Sequence, residues 1–465
     1  MLRPGRIDES GDISMVDSKQ MYEELSDLSA EIARCGRCGF CQSVCPVYQV
    51  SADESGVARG RIMYAKGLVS GELGFSRRNE AFFSECLLCR ACVDTCFSGV
   101  RTDEIVVAGR RTLTRIQGLS PVYRHIFERL LPDHHRFGRF IRLAGTMRRM
   151  VPDQIVGAMR MFGWLGRSME RSEQLLQEVP DEFLRERLSK RENARTTMKQ
   201  AALFIGCGTN FMFPHVGEAT VEVLEMLGYE TLILEHGCCG LPAYAHGALQ
   251  AAQVLARKNI EEFAKAPDSI IVTDCSSCAS FLKEYPRILS MGEERGQIGA
   301  SEAESFASRV RDLTELLGDR AHVFLSARTG HRHAQKGENM GSVPGIRVTF
   351  HDPCHLSRYQ RQASLARDVL RSLPGIDFIE MKEADWCCGG AGAFAVEHAD
   401  LSLKILERKT RNVKASMADT VITTCPSCLM QLRSGLRDSG SRIRAIHLVE
   451  LVRERIGIAI ESASL

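Results

Sequence analysis

Along much of the chain, apolar residues recur at three- and four-residue intervals, the period of an amphipathic helix. Val122, Ile126, Phe127 and Leu130 follow it, as do Leu175, Leu176, Phe183, Leu184 and Leu188. Prolines at 121, 132, 152 and 180 break this stretch, so an all-helical connector is predicted over residues 105–199. The second half reads differently. Short apolar runs in AALFIGCG, TLILEHGCCG and SIIVTDCSSC are too brief for helices and read as buried strands. VTFHDPCH, IDFIEMKEADWCCGG and DTVITTCPSC repeat the series. Helical patterns at 216–227, 248–263, 356–373 and 400–413 separate the runs. Strands alternating with helices imply parallel βαβ units, here in two copies.

Composition changes this picture in one respect. Charge is balanced, with 60 Lys+Arg against 58 Asp+Glu, which argues against a polyanionic partner. The excess is in cysteine, 18 in 465 residues. That is too few for a small disulfide scaffold and too many for incidental thiols. The N-terminal segment lacks a basic region followed by an apolar one, so no secretory signal is expected. The charge-free window 200–217 contains Gly206, Gly208, Asn210, Pro214 and His215, and reads as a strand entering a loop, not a membrane span. A cytoplasmic location with reduced thiols is expected, where clustered cysteines bind metal or do redox chemistry.

Eight cysteines form two matching runs. Cys35, Cys38, Cys41 and Cys45 are followed by Pro46; Cys86, Cys89, Cys92 and Cys96 are followed by Phe97. This spacing holds [4Fe–4S] cubes, with the fourth cysteine of each run ligating the other cube. One cube is therefore assigned to Cys35, Cys38, Cys41 and Cys96, the other to Cys86, Cys89, Cys92 and Cys45. The cross-ligation puts the cubes roughly 10–12 Å apart. Structural zinc sites need a longer spacer between cysteine pairs. Phe97 replaces the usual proline, and its ring is expected to shield the cluster and shift its potential.

The other ten cysteines form two sets of five: Cys207, Cys238, Cys239, Cys275 and Cys278, then Cys354, Cys387, Cys388, Cys425 and Cys428. Each set runs single, adjacent pair followed by Gly, then CxxC. Each group follows a predicted strand, so the carboxyl edge of each sheet should gather five thiolates. Neighbouring thiolates do not easily reach separate corners of one cube, but they can bridge irons of an opened, noncubane cluster. A lone CxxC could instead be a redox dithiol or half a zinc site, and zinc remains open for one copy. His236, His351, His355 and Trp386 flank these loops as candidate hydrogen-bond donors to sulfur, against a purely structural role. GGAGAFA at 389–395 approaches a dinucleotide fingerprint but follows Cys387–Cys388 instead of a clean strand end, so it reads as a cluster-binding loop. Residues 121–150 carry seven arginines against two acids, with Phe137, Phe140, Ile141 and Leu143. That patch could meet anionic lipid or an acidic partner, or be a solvated helix face.

Taken together, CGRCGFCQSVCPVYQ, ARGRIMYAKG, CLLCRACVDTC, HGCCGLPA, TDCSSCASFLKEY, HDPCHLSR, CCGGAGAF and TTCPSCLMQL resemble the family of glycolate/lactate oxidase iron–sulfur subunits and the cysteine-rich subunit of heterodisulfide reductase. The resemblance spans about residues 25–455, and ARGRIMYAKG is similar to the oxidase branch in particular. It implies an α+β multidomain chain. A dicluster ferredoxin-like domain occupies 1–104 and the helical connector 105–199. Two pseudo-repeated α/β parallel-sheet CCG cysteine-rich domains follow at 200–290 and 346–465, joined by a loop-rich linker at 291–345. The implied cofactors are two [4Fe–4S] cubes and one or two further clusters at the CCG motifs, with flavin on a partner subunit. The implied activity is electron relay from an FAD-containing 2-hydroxy-acid dehydrogenase to quinone or another carrier, in the cytoplasm or peripherally on the inner membrane face. The oxidase branch often keeps only one cysteine of the last CxxC, whereas Cys425 and Cys428 are both present here. The alternative is therefore a heterodisulfide reductase-like catalytic subunit, with Cys354, Cys387, Cys388, Cys425 and Cys428 as the catalytic site.

Overall fold

A computed structural model describes residues 21–76, 79–150, 171–172, 175, 179–191, 199–292, 299–319 and 345–463. The N-terminal part is helical. Helices Ala58–Ser70 and Thr102–Gln117 pack Ile62, Leu68, Ile105 and Val106 against Tyr22, Leu25 and Phe83. Thr102–Gln117 runs unbroken through the domain boundary expected at 104/105 and packs in this core, which continues into the first α/β domain. A helical period cannot show which domain a helix packs on.

The connector is helical where described, with helices Pro121–His125, His134–Met150 and Leu184–Ser189. Pro152 and Leu176 lie outside the described residues. The connector packs on the first α/β domain through Phe137 and Phe183, whose rings meet Phe211 edge-on at 5.0 and 4.9 Å. Arg136 and Arg142 of the basic stretch pair with Asp133 and Glu186, while Phe140 and Leu143 face outward.

The two α/β domains share one topology. Strands β1 (Lys199–Leu203), β2 (Tyr229–Ile233), β3 (Ile270–Thr273) and β4 (Val310–Asp312) form a parallel sheet in the order β2-β1-β3-β4. Strands β5 (Ile346–Phe350), β6 (Ile376–Phe378), β7 (Thr420–Thr423) and β8 (Arg444–His447) repeat it as β6-β5-β7-β8. Central register is fixed by Ala202 opposite Leu232 and Ile271, and by Val348 opposite Phe378 and Thr420. The segment expected to be a loop-rich linker is partly ordered: Ala300–Arg309 and Leu313–Asp319 are helices, and β4 between them closes the first sheet. A three-residue VRD strand is too short to show an alternation of apolar and polar positions. Residues 329–344 of the Gly/His/Lys-rich stretch lie outside the described residues.

Strand order reverses beside the first strand of each domain, opening a crevice past the carboxyl ends of β1 and β3, and of β5 and β7. The cysteines are threaded through these crevices.

Candidate metal centres

Both ferredoxin-type runs wrap in the same way. In the first, Arg37 and Gly39 adopt left-handed φ of 57° and 85°; in the second, Leu88 and Arg90 do so at 53° and 59°. These are the same two positions relative to the first cysteine of each run. Such turns are costly for residues other than glycine. Arg90 is held by an ion pair to Asp103 at 2.7 Å. Cys45 joins Cys86, Cys89 and Cys92 in the lining of one small cavity, the arrangement that cross-ligation requires. Cys41 lies in the field of Cys45, Cys35 and Cys38, and Cys35 and Cys96 both pack against the N-terminal core. Arg61, within ARGRIMYAKG, is a buried cation beside Cys86, Cys45 and Cys92, fixed by the carbonyls of Phe82 and Glu85 at 2.7 and 3.0 Å. No cysteine spacing marks it, so its place beside the thiols shows only in the fold. Phe97 does not shield a cluster as expected: the residue is 83% exposed, and its ring meets Phe40 edge-on at 5.0 Å.

In the α/β domains every cysteine group lies past a strand end. Cys207 follows β1, Cys238–Cys239 follow β2, and Cys275 caps the helix Ser276–Lys283 after β3. Cys354, Cys387–Cys388 and Cys425, which caps Pro426–Asp438, take the same places in the second domain. Convergence within each set is tight. A Cβ on Gly206 would stand 3.2 Å from Cys278 Sγ, and Cys388 Sγ is 3.2 Å from Cys428 Sγ. The glycine after each pair turns the chain at positive φ, 94° at Gly240 and 79° at Gly389. Hydrogen bonds from the single cysteine and from the second pair member hold the Cys238 and Cys387 thiols below the usual range. The partner of each, Cys239 or Cys388, is pushed up by its neighbour.

The two domains present these edges to each other. Ser276 N and Oγ donate to Thr424 O at 3.1 and 3.0 Å, Ser277 Oγ is 3.3 Å from Cys425 Sγ, and Cys275 and Cys425 are direct neighbours. All ten cysteines line one cavity of about 1000 Å³, which Cys86 also reaches. GGAGAFA is part of its wall, with Gly390 beside Cys388 Sγ.

The second ferredoxin loop is wedged between the α/β domains. Arg110 donates to Cys86 O at 2.5 Å and to Ala245 O of the first domain at 2.6 Å. Tyr359 of the second domain donates to Leu88 O at 2.7 Å, and Arg358 to Cys89 O at 3.4 Å. Cys45 and Cys89 share an apolar cluster with Trp386, Cys387 and Cys354. Sequence reasoning missed Arg110, Arg358 and Tyr359, because nothing local marks a side chain that grips another domain's main chain.

The flanking residues separate in role. His236 Nε2 accepts from Ile205 N at 3.1 Å and the ring stacks on Phe204, a structural role. His355 Nδ1 bonds Ser280 Oγ at 2.6 Å, and Trp386 donates to Ile405 O at 3.1 Å. Among the described residues neither nitrogen of His351 has a hydrogen bond of normal geometry, and its nearest polar neighbour is the Ala384 main chain.

Four thiols round a small cavity and two five-thiol sets on a larger one suit iron–sulfur clusters, which thiolates hold. Residues 31–100 match the 4Fe-4S dicluster domain family, and residues 201–283 and 348–433 match the CCG cysteine-rich domain family. The chain belongs to the iron–sulfur proteins that join a 4Fe-4S dicluster domain to two CCG cysteine-rich domains. Relatives of this dicluster–CCG protein carry matching names. It is 29% identical over 95% of its length to the probable glycolate oxidase iron-sulfur subunit of Bacillus subtilis (strain 168), covering 98% of that protein. To the glycolate oxidase iron-sulfur subunit of Escherichia coli (strain K12) it is 27% identical, over 94% of this chain and 98% of that one. Lactate utilization protein A of Geobacillus thermodenitrificans (strain NG80-2) is 31% identical over 55% of this chain and 99% of its own. Among the described residues no helix is long and apolar enough to cross a membrane.

Proposed function

We propose that the chain is the iron–sulfur electron-transfer subunit of a flavin-dependent 2-hydroxy-acid dehydrogenase complex acting on glycolate or lactate. The observation that supports this best is the continuity of thiols. They run from exposed Cys38, through the wedged loop of Cys86, Cys89 and Cys92, to Cys354 and Cys387, and across Cys275–Cys425. In this reading electrons from an FAD-containing partner arrive at the first cube, pass to the second, and reach the CCG centres. They leave for quinone or another carrier, with the complex in the cytoplasm or on the inner membrane face. Bound clusters supply one-electron storage; the protein's own part is to hold thiolates, exclude water and set the field through Arg61. Anaerobic purification with iron analysis and identification of co-purifying proteins tests it. The isolated chain should not oxidise a hydroxy acid until a flavoprotein is added, and turnover by the pure chain would reject the reading.

A second reading has its own support: the second set keeps all five cysteines and opens on a cavity of about 1000 Å³. Cys354, Cys387, Cys388, Cys425 and Cys428 would then reduce a disulfide at a noncubane cluster. Two electrons from reduced dye and two protons would convert one disulfide to two thiols. Full activity in Cys388→Ser would reject this.

A further inference from the structure

The two CCG centres share a topology but not their electrostatic surroundings. Three residues before its single cysteine, the first domain has Phe204 and the second has His351. His351 is 1% exposed, and among the described residues neither ring nitrogen has a hydrogen-bond partner of normal geometry, with the Ala384 main chain the nearest polar neighbour. The nearby Ala384 carbonyl already accepts from Asp352 N at 3.0 Å and from Lys409 Nζ at 2.9 Å. A His351 ring nitrogen lies within 4.8 Å of the sulfurs of Cys388 and Cys428. A buried N–H left without an acceptor keeps its full desolvation penalty, so the ring calls for an acceptor on its sulfur side.

A second difference points the same way. From the helix after the adjacent pair, wholly buried Lys409 reaches back to Glu383 O at 2.6 Å and Ala384 O, within the field of Cys387 and Cys388. In the first domain the corresponding reach is made by neutral Asn259, whose Nδ2 donates to Cys238 O at 3.0 Å. The residue before the CxxC differs as well. It is buried Asp274 in the first domain, held by Thr209 and Thr220 at 2.7 and 3.1 Å, and Thr424 in the second. The second thiol set thus faces the His351 ring and two cations, Lys409 and Arg358, with Asp352 beside Lys409; the first faces a phenyl ring, an amide, the Asp274 carboxyl group and a single cation, Arg185, at Cys207.

We infer that His351, backed by Lys409, donates to the sulfur of the cluster on the second set and makes it the higher-potential CCG centre, where electrons collect before they leave. Reduction adds negative charge to a cluster. Hydrogen bonds to its sulfur and nearby positive charge therefore favour the reduced form, and a buried acid disfavours it. The inference rests on the reading that both sets hold iron–sulfur clusters.

The test is an EPR-monitored redox titration of the anaerobically purified full chain, compared with His351→Phe, His351→Asn and Phe204→His. In the unaltered protein the two CCG centres should titrate in separate steps. His351→Phe installs the side chain the first domain already has. It should lower the upper step at least tenfold in reduced-to-oxidised ratio at fixed poise, about 59 mV for a one-electron couple. The cubane signals and the lower step should stay in place. His351→Asn keeps an N–H donor and should hold the midpoint nearer the original, while Phe204→His should raise the lower step. An unmoved midpoint in His351→Phe, movement of the lower step instead, or an equal shift in every centre would overturn the inference. Iron near eight per chain, about four per cube, with no further cluster signal, would overturn the underlying reading and this inference with it.

Discussion

The guanidinium carbon of Arg90 lies 3.7 Å from the ring centre of Tyr359. Arg90 sits in the left-handed turn between Cys89 and Ala91, and the Tyr359 hydroxyl donates to Leu88 O in the same loop. One aromatic residue therefore seats the second ferredoxin loop on the second CCG domain. Tyr359→Phe keeps the ring and loses one hydrogen bond. It should destabilise the protein by about 1 kcal/mol and leave electron passage unchanged. Tyr359→Ala removes the seat, costing about 3–5 kcal/mol by analogy with large aromatic truncations, and should slow reduction of the CCG centres. Denaturation and rapid-mixing reduction kinetics separate the two; equal slowing in both variants would count against the seat.

The two CCG glycines should respond unequally to alanine. At Gly389 an added Cβ would stand 2.7 Å from Ser402 O at φ 79°, whereas at Gly240 the nearest atoms are at 3.4 Å with φ 94°. Backbone strain alone predicts about 1–2 kcal/mol for Gly240→Ala. The added clash predicts about 3 kcal/mol or more for Gly389→Ala. Melting temperature and iron content should fall further in Gly389→Ala; the reverse order would contradict the geometry.

Acid sensitivity should trace to a contact shared by three parts of the chain. Glu397 of the second CCG domain accepts from the Tyr123 hydroxyl of the connector and faces His246 Nε2 of the first domain at 3.3 Å. Burial pushes the Glu397 carboxyl up, but hydrogen bonds from His246 and Tyr123 and the His246 charge hold it down at about 2. A carboxyl group with a depressed folded pKa adds stability above its unfolded value, near 4.3 for Glu. That stability is lost as pH falls toward about 2. A third of the side chain is exposed, so the contribution is discounted to about 1 kcal/mol. Glu397→Gln should be less stable than the parent at pH 6, with the gap closing below pH ~4. A gap constant with pH would rule out the linkage.

Cross-ligation makes a spectroscopic prediction. Cys45→Ala should alter the same cubane EPR signal as Cys89→Ala, and Cys96→Ala the same signal as Cys38→Ala. Grouping by run, Cys45 with Cys38, would show that each run ligates its own cube.

Much of the site was legible because its chemistry is local. Cysteine spacing marks the eight thiols of the two runs, and the strand-then-cysteine pattern put all ten CCG thiols at sheet edges. What escaped was non-local or too short. β4 is a three-residue strand. The helix Thr102–Gln117 crosses an expected boundary because helical period does not name a packing partner. The grips of Arg110, Arg358 and Tyr359 on main-chain carbonyls leave no trace in their own neighbourhoods. His351 stood in the sequence beside His236 and His355 with equal claim; what distinguishes it is that, among the described residues, neither of its nitrogens has a hydrogen bond of normal geometry.

The thiols differ in their exposure to solvent. Cys275, Cys278, Cys425 and Cys428 are buried where the two CCG domains meet, while Cys38 is exposed beside Phe40 and Phe97. An oxidant from solvent meets Cys38 before those four thiols. In the proposed relay, damage there would cut the inner thiol sets off from their electron supply while leaving them intact, so the protein would fail as a blown fuse does.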